Sequence, residues 1–206
     1  ILIAVFFWFM AFNAVETFNS LFCSEILGNS GIHGTFTIIL TVSSIISFIT
    51  LSNIANKIGR KWTIILGIIL LIVGIGLMAL FTFLLKDVIS SYVWVIYLLT
   101  VIIGIGWALV NINSYPMIVE MANKNNIGKF TGYYYTSSMI AQSATPIIVG
   151  LIMSFNDAGL RLLYLYSFIT MTIALVVFSF VIEKRDLQKN KPSEKKNLLE
   201  SLGDLD

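Results

Sequence analysis

"SNIANKIGRKW", residues 52–62, sets three cations, Lys57, Arg60 and Lys61, around a single glycine, Gly59. On either side lie runs without one charged residue, 34–54 and 63–85. Each is long enough to cross the ~30 Å hydrocarbon core of a bilayer as a helix, which takes ~20 residues. Two greasy runs hinged on a short cationic gap read as antiparallel helices turning at a membrane surface. Gly59 allows the tight turn, and the cations hold it at the water boundary.

The same pattern repeats outward. Six apolar runs occur, at about 1–21, 34–54, 63–85, 92–119, 131–154 and 160–182. All exceed the ~9–11 residues of a barrel strand, and none alternates with period two. Helices are the other structure that satisfies its own backbone in lipid. The expected fold is therefore all-α, with six transmembrane helices. The 206 residues are 57% hydrophobic and 12% charged, against ~25% charged in a soluble domain. Cys23 is the one cysteine, so no internal disulfide forms, and a net charge of +2 gives no nucleic-acid signal. The chain opens with "ILIAVFFWF", already inside a span, and without methionine. This reads as a chain cut on its N-terminal side.

Eleven of the thirteen Lys and Arg residues fall on alternate sides of the spans, in the gaps at Lys57 and Lys124 and in the last stretch. Basic residues stay in the cytoplasm. Both ends of the chain are then cytoplasmic, and "SEILGNSGIHG", residues 24–34, faces out. Residues 183–206 are polar and charged and read as a flexible cytoplasmic tail.

Polar residues inside the spans are the candidates for function, because they are costly in lipid and tend to face cavities or partners. Glu16 is the one acid well inside a span. Phe9, Asn13, Glu16 and Ser20, spaced +4, +3 and +4, share one helix face. Trp107, Asn111 and Ser114 do the same in span four, with Tyr115 beside them. An aromatic platform next to amides and hydroxyls fits a sugar ring in a water-filled cleft; helix packing through Gly104 and Gly106 is the competing role. Pro116 and Pro146 are expected to break or kink their helices. Gln142 stands out in span five. Thr37, Thr41 and Ser44 in span two fit tight packing. His33 falls in the outer loop or at the mouth of span two and reads as an exposed loop residue, with a proton relay as its alternative role. Glu120 reads as the partner of a nearby cation. The pairs Trp8/Asn13 and Trp107/Asn111 hint at a three-plus-three repeat. One histidine, one cysteine and one intramembrane acid build no catalytic constellation, so neither an enzyme nor a metal or cofactor site is expected.

Asn56-Lys57-Ile58-Gly59-Arg60-Lys61 resembles the second part of the major facilitator superfamily signature, Gly-x-x-x-Asp-Arg/Lys-x-Gly-Arg/Lys-Arg/Lys. Asn56 stands in place of its acid and Ser52 in place of its first glycine. "FFWFMAFNAVETF", "GIGWALVNINSYPMIVEM" and "GKFTGYYYTSSMIAQSATPIIVGLIM" look like helices seven, ten and eleven of bacterial relatives of the sucrose/proton symporters, close to the glycoside–pentoside–hexuronide porters. The resemblance runs to about Ile182. It implies the C-terminal six-helix half, residues 1–182, of a twelve-helix permease in the cell membrane, with a missing N-terminal half as its partner. It also implies transport of a sugar or glycoside with a proton or cation, at a site between the halves. A non-transporting sensor on the same fold is the alternative, and the loss of the motif acid at Asn56 is compatible with it.

Overall fold

The computed structural model describes residues 1–52, 54–85, 89–122, 125–154 and 159–181. The expected tail at 183–206, Lys86 and Lys124 lie outside the described residues.

All regular structure among the described residues is helical. The helices are α1 (Leu2–Glu25), α2 (Gly31–Leu51), α3 (Ile54–Ile58), α4 (Arg60–Leu84), α5 (Val93–Met121), α6 (Ile127–Ser154) and α7 (Leu162–Ser179). Six are long and apolar enough to cross a membrane, α7 together with the turn before it. The longest, α5, has 29 residues, roughly 43 Å at ~1.5 Å per residue.

The helices start earlier than hydropathy implies, α2 at Gly31 and α6 at Ile127. At α2 the reason is local. Gly28 takes φ +71°, a region open to glycine at no steric cost, and turns the chain in very few residues. Asn29 Oδ1 then accepts the Gly31 N–H at 2.9 Å, which frees the next residues to enter the helix. Gly59 does the same job in the cationic gap, with φ +95° between α3 and α4. Neither proline breaks its helix: α5 and α6 continue through Pro116 and Pro146, because each removes one rung of a ladder that the neighbouring rungs still hold.

Packing follows a swap. α1 packs mainly on α7 and α6, while α5 packs mainly on α4 and α2, and α4 meets α7. Exchanging α1, α2 and α4 for α5, α6 and α7 leaves this pattern unchanged, as a three-plus-three repeat requires. α2 and α6 are the least buried helices, so they flank the bundle rather than fill it.

The α4–α5 crossing is set by missing side chains. A Cβ on Gly67 would lie 2.8 Å from the Gly106 carbonyl oxygen, and one on Gly106 would lie 2.8 Å from that of Gly67. Backbones approach this closely only over small residues. Ile64, Ile68, Leu71 and Ile75 seal the contact and are buried completely. Gly104 plays the same part against α2, where Ser44 Oγ donates to the Gly104 carbonyl at 3.0 Å. We expect Gly106→Ala to cost about 1–3 kcal/mol through overpacking, read as a lower thermal midpoint in detergent. Gly132→Ala, which meets open space, should leave the midpoint unchanged or raise it.

Candidate functional site

Where α1 crosses α5, aromatic rings form a seam. Trp107 lies parallel to Phe12, with centroids 3.6 Å apart and planes within 2°. Phe9 meets the same indole edge-on at 5.6 Å. Tyr134 on α6 reaches Phe9 and Tyr115. Its hydroxyl shares a 3.0 Å hydrogen bond with Ser114 Oγ, and Tyr115 pairs with Thr131 at 3.4 Å. Trp107 and Tyr115 are half-buried, so the seam is accessible from one side.

The two asparagines of the expected faces are placed alike. Asn13 Nδ2 donates to the Phe9 carbonyl at 2.8 Å, and Asn111 Nδ2 to that of Trp107 at 3.0 Å. Each amide is held by its own helix, and its oxygen has no partner among the described residues. They are half-buried acceptors beside aromatic rings. Asn113, by contrast, is buried against the core and donates to the Leu109 carbonyl at 2.8 Å.

Glu16 is exposed and lies one turn beyond Asn13. It lines a cleft of about 260 Å³ between α1 and α2, with Phe12, Asn19, His33, Thr37 and Thr41 among its walls. Gln142 is exposed on α6, two turns beyond Tyr135 on the same flank. Ring contacts and a hydrogen bond thus join Phe9, Phe12, Trp107, Ser114, Tyr115 and Tyr134 across α1, α5 and α6. Asn13 and Asn111 stand one turn from Phe9 and Trp107, and Glu16 lies in the adjoining α1–α2 cleft that Phe12 also lines.

Two expectations need correction. Of the two places open to His33, the structure takes the mouth of span two rather than the exposed loop: it sits half-buried in the first turn of α2, and its Nδ1 is 3.2 Å from Asn19 Nδ2. Trp8 is not a counterpart of Trp107. It is fully buried and packs edge-on against Phe178. The repeated unit is instead aromatic-x-x-x-Asn, at Phe9/Asn13 and at Trp107/Asn111.

At the basic end, Arg60 closes onto Glu120 at 2.8 Å, tying the start of α4 to the end of α5. Lys61 lies over the Trp62 ring and Lys129 over that of Tyr133, at 6.0 and 5.8 Å, as cations anchored at an interface do. Lys57 is exposed on α3. Asn56 falls on the same short helix, and its side chain lies outside the described part of the molecule. The Arg60–Glu120 pair shows that the gap keeps an ionic tie to a distant helix.

The sequence matches the Major Facilitator Superfamily over residues 1–204. The chain belongs to that superfamily. It also resembles the xylose transporter XylE from E. coli, solved in a partially occluded inward-open conformation, with TM-score 0.66 and 18% identity. The match covers 88% of this chain and 48% of that one, so the chain spans about half the length of the solved transporter. No curated protein matches the sequence. Membership makes this a multi-pass membrane protein with one six-helix half of the superfamily's fold.

Phe12 escaped the sequence, and the partners of Tyr134, Asn19 and His33 could not be read from it, since they lie on other helices. One signal was available: the chain's single histidine stands just past a glycine turn, opposite the polar end of span one. The Ser114–Tyr134 bond should behave as a coupled pair. Tyr134→Phe is expected to cost about 1 kcal/mol. Ser114→Ala should cost about 1–3 kcal/mol, because it strands a buried phenol oxygen. Chemical unfolding of the double variant should show less than the sum of the two.

Proposed function

We propose that this chain is the C-terminal half of a secondary active transporter that moves a sugar or glycoside with a proton or other cation, by alternating access across the cell membrane. The observation that carries the reading is the seam of Phe9, Phe12 and Trp107 flanked by the amide oxygens of Asn13 and Asn111. Sugars combine apolar ring faces with hydroxyl rims. Indole and phenyl faces suit the first, and fixed amide acceptors and the Ser114 hydroxyl suit the second. Gln142 adds an amide from the facing flank. The fold shared with a xylose transporter supports the same solute class. Glu16, the one acid well inside a span, supplies the carboxylate that proton coupling needs. The other wall of the site belongs to an N-terminal half, and the basic end of the bundle faces the cytoplasm.

The experiment uses the full-length protein in proteoliposomes. Trp107→Ala and Asn111→Ala are each expected to raise the half-saturating sugar concentration roughly tenfold, about 1.4 kcal/mol, with normal folded yield. Unchanged affinity with a loss of folded protein would assign both residues to packing. Glu16→Gln should lower proton-driven accumulation relative to sugar counterflow, and an unchanged ratio excludes it from coupling.

Orientation has its own measurement. A cysteine at Asn29 should react with an impermeant thiol reagent from outside the cell. Labelling from the cytoplasmic side alone would reverse the topology.

A further inference from the structure

Glu16 and His33 line one cleft at the end of the bundle where α1 turns into α2, and the aromatic seam uses neither. Phe12, Val15, Phe36 and Leu40 make its apolar walls. Glu16 has no hydrogen bond or ion pair among the described residues. No lysine or arginine precedes Lys57, so α1 and α2 hold no cation to neutralise it.

His33 is held through a second residue. Asn19 is 1% exposed, and its Oδ1 accepts the Tyr164 hydroxyl at 2.7 Å and the Cys23 thiol at 3.8 Å. With the oxygen committed, the amide nitrogen faces His33 and donates to Nδ1 at 3.2 Å. A donor there requires a bare Nδ1, which puts the ring proton on Nε2. Thr37 Oγ1 donates to the His33 carbonyl at 3.0 Å and fixes the same turn. Hydrogen bonds thus run from α2 through α1 to Tyr164 on α7.

We infer that Glu16 and His33 form one proton-binding site, and that Asn19 passes its protonation state to α7. The inference deepens the coupling role given to Glu16 above and rests on that reading for the identity of the coupled ion. A proton entering the cleft forms a bond to the Nδ1 lone pair. The Asn19 amide then faces another donor, and that hydrogen bond breaks. The imidazolium gains a positive charge, and the Glu16 carboxylate in the same cleft offsets it. Asn19 must turn its amide, which withdraws the acceptor from Tyr164, or His33 must swing toward Glu16. Either movement changes how α2 sits on α1 and α7, and loss of the proton reverses it. On α1, α5 and α7 the other titratable or charged side chains are Cys23 and Glu25 on α1, Tyr164 and Tyr166 on α7 with Arg161 in the turn before it, and Tyr97, Tyr115 and Glu120 on α5, which packs on α2. Arg161 donates to the Thr82 carbonyl at 3.4 Å.

The test uses the full-length protein in lipid nanodiscs, with ¹⁵N-labelled histidine and spin labels at Thr35 and Ile169, both exposed. The His33 signal is identified by its absence from His33→Gln. In alkaline buffer the ring should carry its proton on Nε2 alone. On acidification, protonation of Nδ1 and the change in spin–spin distance should follow one pH course. His33→Gln should abolish the distance change, and Glu16→Gln should move it to more acidic buffer. A proton on Nδ1 in alkaline buffer, or a distance response that survives in His33→Gln, overturns the proposal. If His33→Gln fails to fold, the wild-type tautomer and the coincidence of the two courses still decide it, the signal then being identified through Asn19→Ala. None of these readings needs a sugar. A normal pH-linked change without sugar counterflow refutes the transport reading and upholds the site.

Discussion

A hydroxyl in hydrocarbon has no water to turn to, and a lone polar group there is costly. The bundle meets this constraint first by folding hydroxyls back on their own helices. Thr63, Thr82, Thr100, Thr145 and Ser167 each donate to the carbonyl four residues earlier. These residues are buried, and they ask nothing of a neighbouring helix. Close helix contact is left to glycine, at Gly67, Gly104 and Gly106. Some buried polar atoms stay without a partner among the described residues, Trp8 Nε1, Asn113 Oδ1 and the Tyr166 hydroxyl among them. The oxygens of Asn13 and Asn111 and the Glu16 carboxylate are the uncommitted groups that are half-buried or exposed beside the aromatic seam and the α1–α2 cleft.

The spans were legible because hydrocarbon thickness and backbone satisfaction allow few alternatives. Their ends were less so. Gly31, Ile32 and His33 join α2 although their neighbours are polar, since a helix needs satisfied amides and not apolar side chains. The face of Trp107, Asn111 and Ser114 could be read from the helical period alone. The Phe12–Trp107 stack and the Ser114–Tyr134 bond could not. Both depend on how two helices are rotated against each other, and one helix's period says nothing of that. Tyr133, Tyr134 and Tyr135 illustrate the limit: only Tyr134 is buried, and the triplet itself does not say which.

The exchange symmetry gives the polar side its layout. Phe9-Asn13-Glu16 and Trp107-Asn111-Ser114 have the same spacing, on helices that are first and fourth of six spans and so run in opposite directions. Their aromatic members touch at the middle. The third members therefore diverge, Glu16 toward the α1–α2 turn and Ser114 toward the α5–α6 turn. One helix carries a carboxylate at its far end, lining a cleft, and the other a buried hydroxyl paired with a tyrosine.

Pro146 carries a quieter consequence. Proline has no amide hydrogen, so position 146 offers no donor to the Gln142 carbonyl one turn earlier. The helix continues through Pro146, and the missing rung falls at residue 142. Gln142 is exposed, so a side-chain amide stands at the very residue whose carbonyl lacks its usual donor. One position of a continuous helix thus brings together an extra hydrogen-bonding side chain and a loosened rung, with no unwinding of the chain.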